Sequence, residues 1–183
     1  MDRPYFCGEC GEPMLIVQAT LPYPECGLDN VVLCNVPVWE CRNGHQDVQI
    51  PAVKQLHQVL AQMLVAQPWP LLGQDVRFMR KHLGYSARAF SAIIGLNYVT
   101  LSKFENERSR IPRKMDALVR LFCAQALCER LNRRLSKPLI PVLERLESDQ
   151  SALDLRDLRL EHVEVEATRT AEPRHRWQEA SHQ

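Results

Sequence analysis

Two short runs rich in β-branched and aliphatic residues open the hydrophobic pattern of the chain. They cover residues 14–20 and 31–39, and a Pro-, Gly- and Asp-containing stretch at 22–30 separates them. Short apolar runs bounded by turn-forming residues are typical of strands. We therefore predict a hairpin or small sheet in the first 40 or so residues.

The pattern then changes to helical spacing. From Pro51 onward, apolar residues recur every three or four positions as far as Met63. This periodicity, with proline in the first turn, predicts an amphipathic helix over about residues 51–66. Pro68 and Pro70 cannot continue a helix, so residues 68–72 are predicted to be a linker between two domains.

A series of helices with short breaks is predicted after the linker. The last one, about 114–136, carries a seam of apolar residues that either pairs with a second copy of the chain or packs on its own domain. The seam consists of Leu121, Ala124, Cys128, Leu131 and Leu135. A short helix at 139–147 and a polar extension follow, and we expect residues 166–183 to be disordered.

Charge is distributed unevenly over the 183 residues, whose net charge is only +1. Residues 71–137 carry 14 Lys and Arg against 5 Asp and Glu, a net charge of +9, and the flanking segments are acidic. A basic domain of this kind is suited to a polyanion such as double-stranded DNA, although a solvated basic surface has the same composition. The sequence shows neither a membrane span nor a signal peptide, so we expect a cytoplasmic protein with no membrane partner.

Two cysteine-containing pairs near the N-terminus have metal-ligand spacing. Cys7 and Cys10 form a C-x-x-C pair, and Cys41 and His45 follow about thirty residues later. Two pairs on two turns are suited to tetrahedral zinc, in the manner of a zinc ribbon. Cys26 or Cys34 are alternatives to His45 as the fourth ligand, and a redox role for Cys7 and Cys10 would need a βαβ context that the sequence lacks.

Four protein ligands leave no open position on a zinc ion. We therefore expect Zn²⁺ to be structural, with no catalytic residues and no enzymatic activity. An enzyme with catalytic zinc would need a missing ligand and a nearby general base, and the sequence offers no convincing base.

The basic segment contains a helix-turn-helix pattern between residues 73 and 113. Ser86 and Asn97 are good N-cap residues, and Gly95 suits the tight turn between two short helices. Leu101 and Phe104 would face inward on the second helix, which leaves its N-terminal half facing outward. Those outward positions of a second helix lie in the major groove in this motif.

Residues 73–113, above all the string from Gly95 to Asn106, resemble the XRE/phage-repressor helix-turn-helix family. The resemblance implies a buried ion pair between Arg80 and Glu105. It also implies a set of DNA-contacting residues: Asn97, Tyr98, Val99 and Lys103 at base edges, Ser86 and Thr100 at the backbone or neighbouring bases, and Arg108, Arg110 and Arg113 at phosphates. We add Arg88 as a DNA-contacting candidate at the start of the first helix, where that family more often has a polar start rich in Gln and Glu. The chain has Glu107 where that family usually has glycine.

The order of the two modules, over about residues 5–125, is also similar to the MqsA-type antitoxin family. In this chain His45 stands where many members have a cysteine, and the chain extends about 50 residues beyond the usual end. This resemblance implies a second function: neutralisation of a partner toxin through the zinc module, with DNA binding to regulate the operon.

The elements together predict an α+β fold. A zinc-ribbon-like β module with its helix would cover residues 1–67. An all-α, five-helix XRE-type helix-turn-helix domain would cover 73–137, and a partly disordered extension would cover 138–183. The predicted function is that of a homodimeric transcriptional repressor that binds a palindromic operator.

Overall fold

The computed structural model describes residues 5–131, 137–145, 158–165 and 174–180. In these ranges the chain is a mixture of α and β structure, with six α-helices and a five-stranded sheet. The strands are β1 (Met14–Pro22), β2 (Val31–Cys41), β3 (Gln46–Val48), β4 (Leu158–Val165) and β5 (Arg174–Glu179). The helices are α1 (Val53–Ala66), α2 (Gly73–His82), α3 (Ala87–Ile93), α4 (Tyr98–Glu105), α5 (Arg113–Leu131) and α6 (Ile140–Arg145).

The long strand β2 is the centre of the sheet. It pairs with β1 in antiparallel register, from Met14 opposite Cys41 to Pro22 opposite Val32. On its other side the first half pairs in parallel with β4 and the second half in antiparallel with β3. Asn35, with a φ of 57°, lies in β2 opposite the register shift in β1 and marks a bulge between these halves.

One hydrophobic core runs from the sheet through the helices. The buried face of α1, centred on Leu56, Leu60 and Leu64, shares this core with Val36 of β2. The same cluster continues into α2, α3, α4 and α5. Among the described residues, no helix has both the length and the apolar character that a membrane crossing requires.

The connector between α1 and α2 is tied to α5. The guanidinium of Arg120, which is fully buried, donates hydrogen bonds to the carbonyls of Gln67 and Trp69 at 2.7 Å each. Asp116, one turn earlier, accepts from the Leu71 amide at 2.6 Å. The predicted linker is therefore held at several points, while the domain division itself stays a prediction.

The C-terminal extension differs from its expected disorder where the structure describes it. β4 and β5 form an antiparallel pair that joins the sheet beside β2. Trp177 of β5 is 1% exposed, and its indole N–H donates to the Pro51 carbonyl at 2.8 Å. The expectation of disorder was wrong for residues 174–180. Their composition is polar, but the buried Trp177 holds this segment against the rest of the fold as a strand. Residues 166–173 and 181–183 lie outside the described residues.

The apolar seam predicted on α5 is also corrected in part. Ala124 is buried, but Leu121 is 49% exposed, and the helix turns Val119, Cys123 and Leu127 into the core. The buried face of α5 therefore includes the charged Arg120 and differs from the face that the spacing of apolar residues indicates. Leu135 lies outside the described residues, as does the side chain of Leu131.

Candidate functional site

The four side chains that the sequence predicts to bind a metal ion meet at the C-terminal end of β2. The ligand atoms of Cys7, Cys10, Cys41 and His45 all lie within 4.8 Å of one another. Cys41 is the last residue of β2 and is buried with Cys7, whereas Cys10 is exposed. Cys26 lies outside this group, and its thiol donates a hydrogen bond to the Tyr23 carbonyl at 3.1 Å. The group can therefore hold a metal ion.

Two turns, each containing a glycine, deliver these four side chains. In the first, the amide of Gly11 donates to the Cys7 carbonyl at 2.9 Å, and in the second the amide of Gly44 donates to the Cys41 carbonyl at 2.9 Å. Gly11 and Gly44 have φ values of 73° and 79°, a left-handed conformation that glycine adopts without steric cost. Each turn thereby directs a pair of ligands to one point.

Two distances inside the cluster match those around a tetrahedral ion. Metal–sulfur bonds of about 2.3 Å place two sulfurs of such a site about 3.8 Å apart, and a sulfur and a nitrogen about 3.6 Å apart. The Sγ atoms of Cys10 and Cys41 are 3.7 Å apart, and Cys7 Sγ lies 3.5 Å from His45 Nδ1. These separations are those of ligands around a common centre.

His45 approaches the cluster through Nδ1, and its other ring nitrogen has a carboxylate partner. His45 Nε2 lies 3.3 Å from Glu9 Oε2. A carboxylate on the outer nitrogen fixes the ring orientation and keeps Nδ1 available as a ligand. Sequence reasoning did not single out Glu9, and its position between Cys7 and Cys10 was the only available signal.

The cluster also favours an ionised thiol. The backbone N–H of Glu12 donates to Cys10 and lowers the pKa of its thiol to about 6. Burial raises the pKa of Cys41, and hydrogen bonds that the protonated imidazole donates to Cys10 and Cys7 raise the pKa of His45. Because thiolates and neutral imidazole are the binding forms, metal affinity should fall as the solution is acidified.

The second candidate site is the pair of short helices α3 and α4. The Ser86 hydroxyl accepts from the Ala89 amide at 3.1 Å and caps α3, and the Asn97 carbonyl oxygen accepts from the Val99 amide at 2.8 Å and caps α4. Gly95, with a φ of 67°, lies in the turn between them. Both helices thus begin at the residues that the sequence indicated.

A buried ion pair ties α4 to α2. Arg80 donates to both carboxylate oxygens of Glu105, at 2.6 and 2.8 Å, and to the Tyr85 carbonyl at 2.9 Å. Arg77 adds a bond of 2.6 Å to the Glu105 carbonyl and one of 2.7 Å to the Asn106 side chain. No sequence pattern assigned a role to Arg77, because its partners Glu105 and Asn106 lie almost thirty residues further along the chain. These bonds fix the C-terminal end of α4.

The packing of α4 divides its residues between two faces. Leu101, Phe104 and Glu105 are buried, whereas Tyr98 and Val99 are 46% and 57% exposed. Of the ten residues predicted to contact DNA, Thr100 is half-buried and the other nine are exposed: Ser86, Arg88, Asn97, Tyr98, Val99, Lys103, Arg108, Arg110 and Arg113. The Arg88 guanidinium lies 5.8 Å from the Tyr98 ring centroid, which joins α3 to the exposed side of α4.

No protein-family model, curated protein or solved structure matches this chain. The fold and the site define a mixed α and β protein with a Cys₃His group that is able to hold a metal ion. The resemblances to the XRE and MqsA-type families stay predictions.

Proposed function

We propose that this protein is a sequence-specific DNA-binding transcriptional repressor that binds a palindromic operator as a homodimer. One observation carries the proposal: α4 is fixed at both ends, by its Asn97 cap and by the Arg80–Glu105 pair, yet exposes Tyr98, Val99 and Lys103. A rigid short helix with exposed polar and aromatic residues in its N-terminal half has the form of an XRE-type recognition helix. In the dimer, two such helices would enter major grooves about one helical turn apart.

Charge supports the same function. The net charge of +9 lies in residues 71–137, which include α3 and α4. Arg108, Arg110 and Arg113 are exposed between α4 and the first turn of α5. Cations beside a recognition helix bind phosphates and supply affinity that does not depend on sequence.

A matched pair of variants tests base reading. On a palindromic duplex recovered by selection from random DNA, Lys103→Ala should weaken binding by about 1–3 kcal/mol and leave binding to random duplexes unchanged. Arg110→Ala, an exposed cation outside α4, should weaken binding to both duplexes alike. Fluorescence anisotropy titrations at fixed salt measure both effects. Equal losses on the two duplexes for Lys103→Ala would contradict a base contact.

The metal that best suits the cluster is Zn²⁺ in a structural role. Three thiolates and one imidazole match zinc's preferred ligands, and four protein ligands leave no position for a reacting water. Two of the ligands, Cys7 and Cys41, form a small buried cluster with Met14. Because this cluster is small, a bound ion would supply much of the stability of this part of the fold.

Metal analysis of purified variants tests this assignment. The native chain should retain one zinc per chain after dialysis, and Cys41→Ser should lose it. Cys26→Ser is the matched control, since Cys26 lies outside the group, and it should retain zinc. Retention of zinc by Cys41→Ser, or its loss from Cys26→Ser, would contradict the proposed ligand set.

Neutralisation of a partner toxin is the second candidate function, and the surface of β1 favours it. β1 pairs with β2 and with no other strand in the part of the chain that the structure describes. Leu15 is 73% exposed and Ile16 55%, and β1 contains no charged residue. An exposed apolar edge strand without charges is suited to pairing with another protein.

Co-expression with the product of any adjacent toxin gene tests this function. Leu15→Glu should abolish protection of the host from the toxin. Val53→Glu, at an exposed apolar position on α1, is the control and should preserve protection. Full protection by Leu15→Glu would exclude β1 as the binding surface.

A further inference from the structure

Val99 is an apolar side chain on the largely polar surface that α4 exposes. It is 57% exposed, more than any other large apolar side chain that the structure describes on α3 and α4. Asn97 and Lys103, also exposed, are polar and charged. Leu101 and Phe104 are buried and form the packed side of the helix. Val99 therefore adds little to the core and is available to a ligand.

The position of Val99 is fixed before a ligand binds. Its backbone amide donates to the Asn97 side chain at 2.8 Å, in the cap of α4. Because valine is branched at Cβ, its side chain has one strongly preferred rotamer in a helix, and its two methyl groups point in a defined direction. The ring of the preceding residue, Tyr98, lies beside the Arg88 guanidinium. A rigid apolar group of this kind loses little conformational entropy on binding.

The chemistry of valine favours one base. In the major groove thymine alone carries a methyl group, and the edges of the other three bases present only hydrogen-bond donors and acceptors. A valine side chain placed against those polar atoms would displace their water without replacing its hydrogen bonds. Against the thymine methyl group, the same side chain buries apolar surface on both partners. Val99 is thus suited to distinguish thymine from the other bases.

We propose that Val99 contacts the 5-methyl group of one thymine in each operator half-site and thereby selects thymine at that position. The inference rests on the proposed function, in which the N-terminal half of α4 enters the major groove. It assigns a base and a chemical group to this helix, whereas Lys103 would read its base through hydrogen bonds.

Replacement of thymine by uracil tests the contact, because uracil pairs with adenine as thymine does and lacks only the methyl group. The full chain first selects its preferred duplex from a random DNA library, and each thymine of that duplex is then replaced singly by uracil. In fluorescence anisotropy titrations, one replacement in each half-site should weaken binding about fourfold, the effect of one methyl-sized group that is no longer buried.

Val99→Ala identifies the side chain responsible. Because the position is exposed, the variant should have the same circular dichroism spectrum as the native chain. At the sensitive thymine it should bind the thymine and uracil duplexes almost equally, since the contact is already lost. Val53→Ala, at an exposed valine on α1, is the matched control and should keep the fourfold difference.

Two results would overturn the proposal. One is a selected duplex in which no uracil replacement weakens binding of the native chain. The other is a Val99→Ala variant that keeps the full difference at every sensitive thymine. Both results would leave sequence-specific binding, and hence the proposed function, intact. A selection that enriches no sequence would instead contradict the proposed function itself, and this inference with it.

Discussion

Replacement of Arg120 by methionine should destabilise the whole fold. Arg120 is fully buried on α5 and pairs with Asp116, whose carboxylate Oδ1 lies 2.5 Å from Arg120 Nε. Its guanidinium also donates to four carbonyls at the end of α1 and in the connector, those of Leu64, Val65, Gln67 and Trp69. Methionine retains the hydrocarbon stem but none of these donors.

The magnitude follows from what the substitution leaves behind. Asp116 would keep its bond from the Leu71 amide but lose the countercharge to a buried carboxylate. Breaking a buried ion pair by removing one partner destabilises proteins by about 3–5 kcal/mol. Folded domains are stable by only about 5–15 kcal/mol, so this one substitution removes a large share.

Urea denaturation followed by circular dichroism measures the free energy of unfolding. Lys54→Met, at an exposed position on α1, is the control and should change the free energy by less than about 0.5 kcal/mol. Adding Asp116→Leu to Arg120→Met should restore part of the loss, because the unpaired charge disappears. A loss below about 1 kcal/mol for Arg120→Met would refute the role of Arg120 in holding the connector.

Three further predictions concern stability. A Cβ at Gly73 would lie 2.0 Å from the Phe104 carbonyl oxygen, so Gly73→Ala should push α2 from α4 and lower the melting temperature; an unchanged melting temperature would contradict this close approach. Glu107 has a φ of 57°, so Glu107→Gly should relieve backbone strain and change stability by at most about 1 kcal/mol, in the stabilising direction, in the same urea assay; destabilisation would contradict it. Burial lowers the pKa of His57 and of His82 below 6.5, so the unfolded chain binds protons first. The stability that these two neutral histidines allow is therefore fully present above about pH 6.5, and the free energy of unfolding decreases as the pH falls towards their lowered pKa values. Replacing both by glutamine should flatten this acid-side slope in urea titrations, and an unchanged slope would contradict it.

Local chemistry is where the sequence was most informative. The spacing of Cys7, Cys10, Cys41 and His45 was enough to predict a common site, because short spacings on turns restrict where the side chains can point. Capping is equally local, since a side-chain oxygen bonds an amide two or three residues away. Hence the α3 start at Ser86 could be predicted without tertiary information.

Long-range partners could not be predicted in this way. Trp177 of β5 donates to Pro51, and the pattern of a short polar strand contains no signal for a partner so distant in sequence. Arg120 looks like any arginine of a basic helix until the end of α1 is placed against it. In both cases a single buried side chain is decisive, and burial depends on which elements meet.

Genomic footprinting of the tagged protein in its own host tests whether α4 reads DNA sequence. The comparison is a variant with Asn97, Tyr98 and Lys103 replaced by alanine. We predict sharp peaks at a palindrome upstream of the protein's own gene, and we predict that the variant loses them. An absence of peaks, with the protein recovered instead in complex with one small partner, would contradict it.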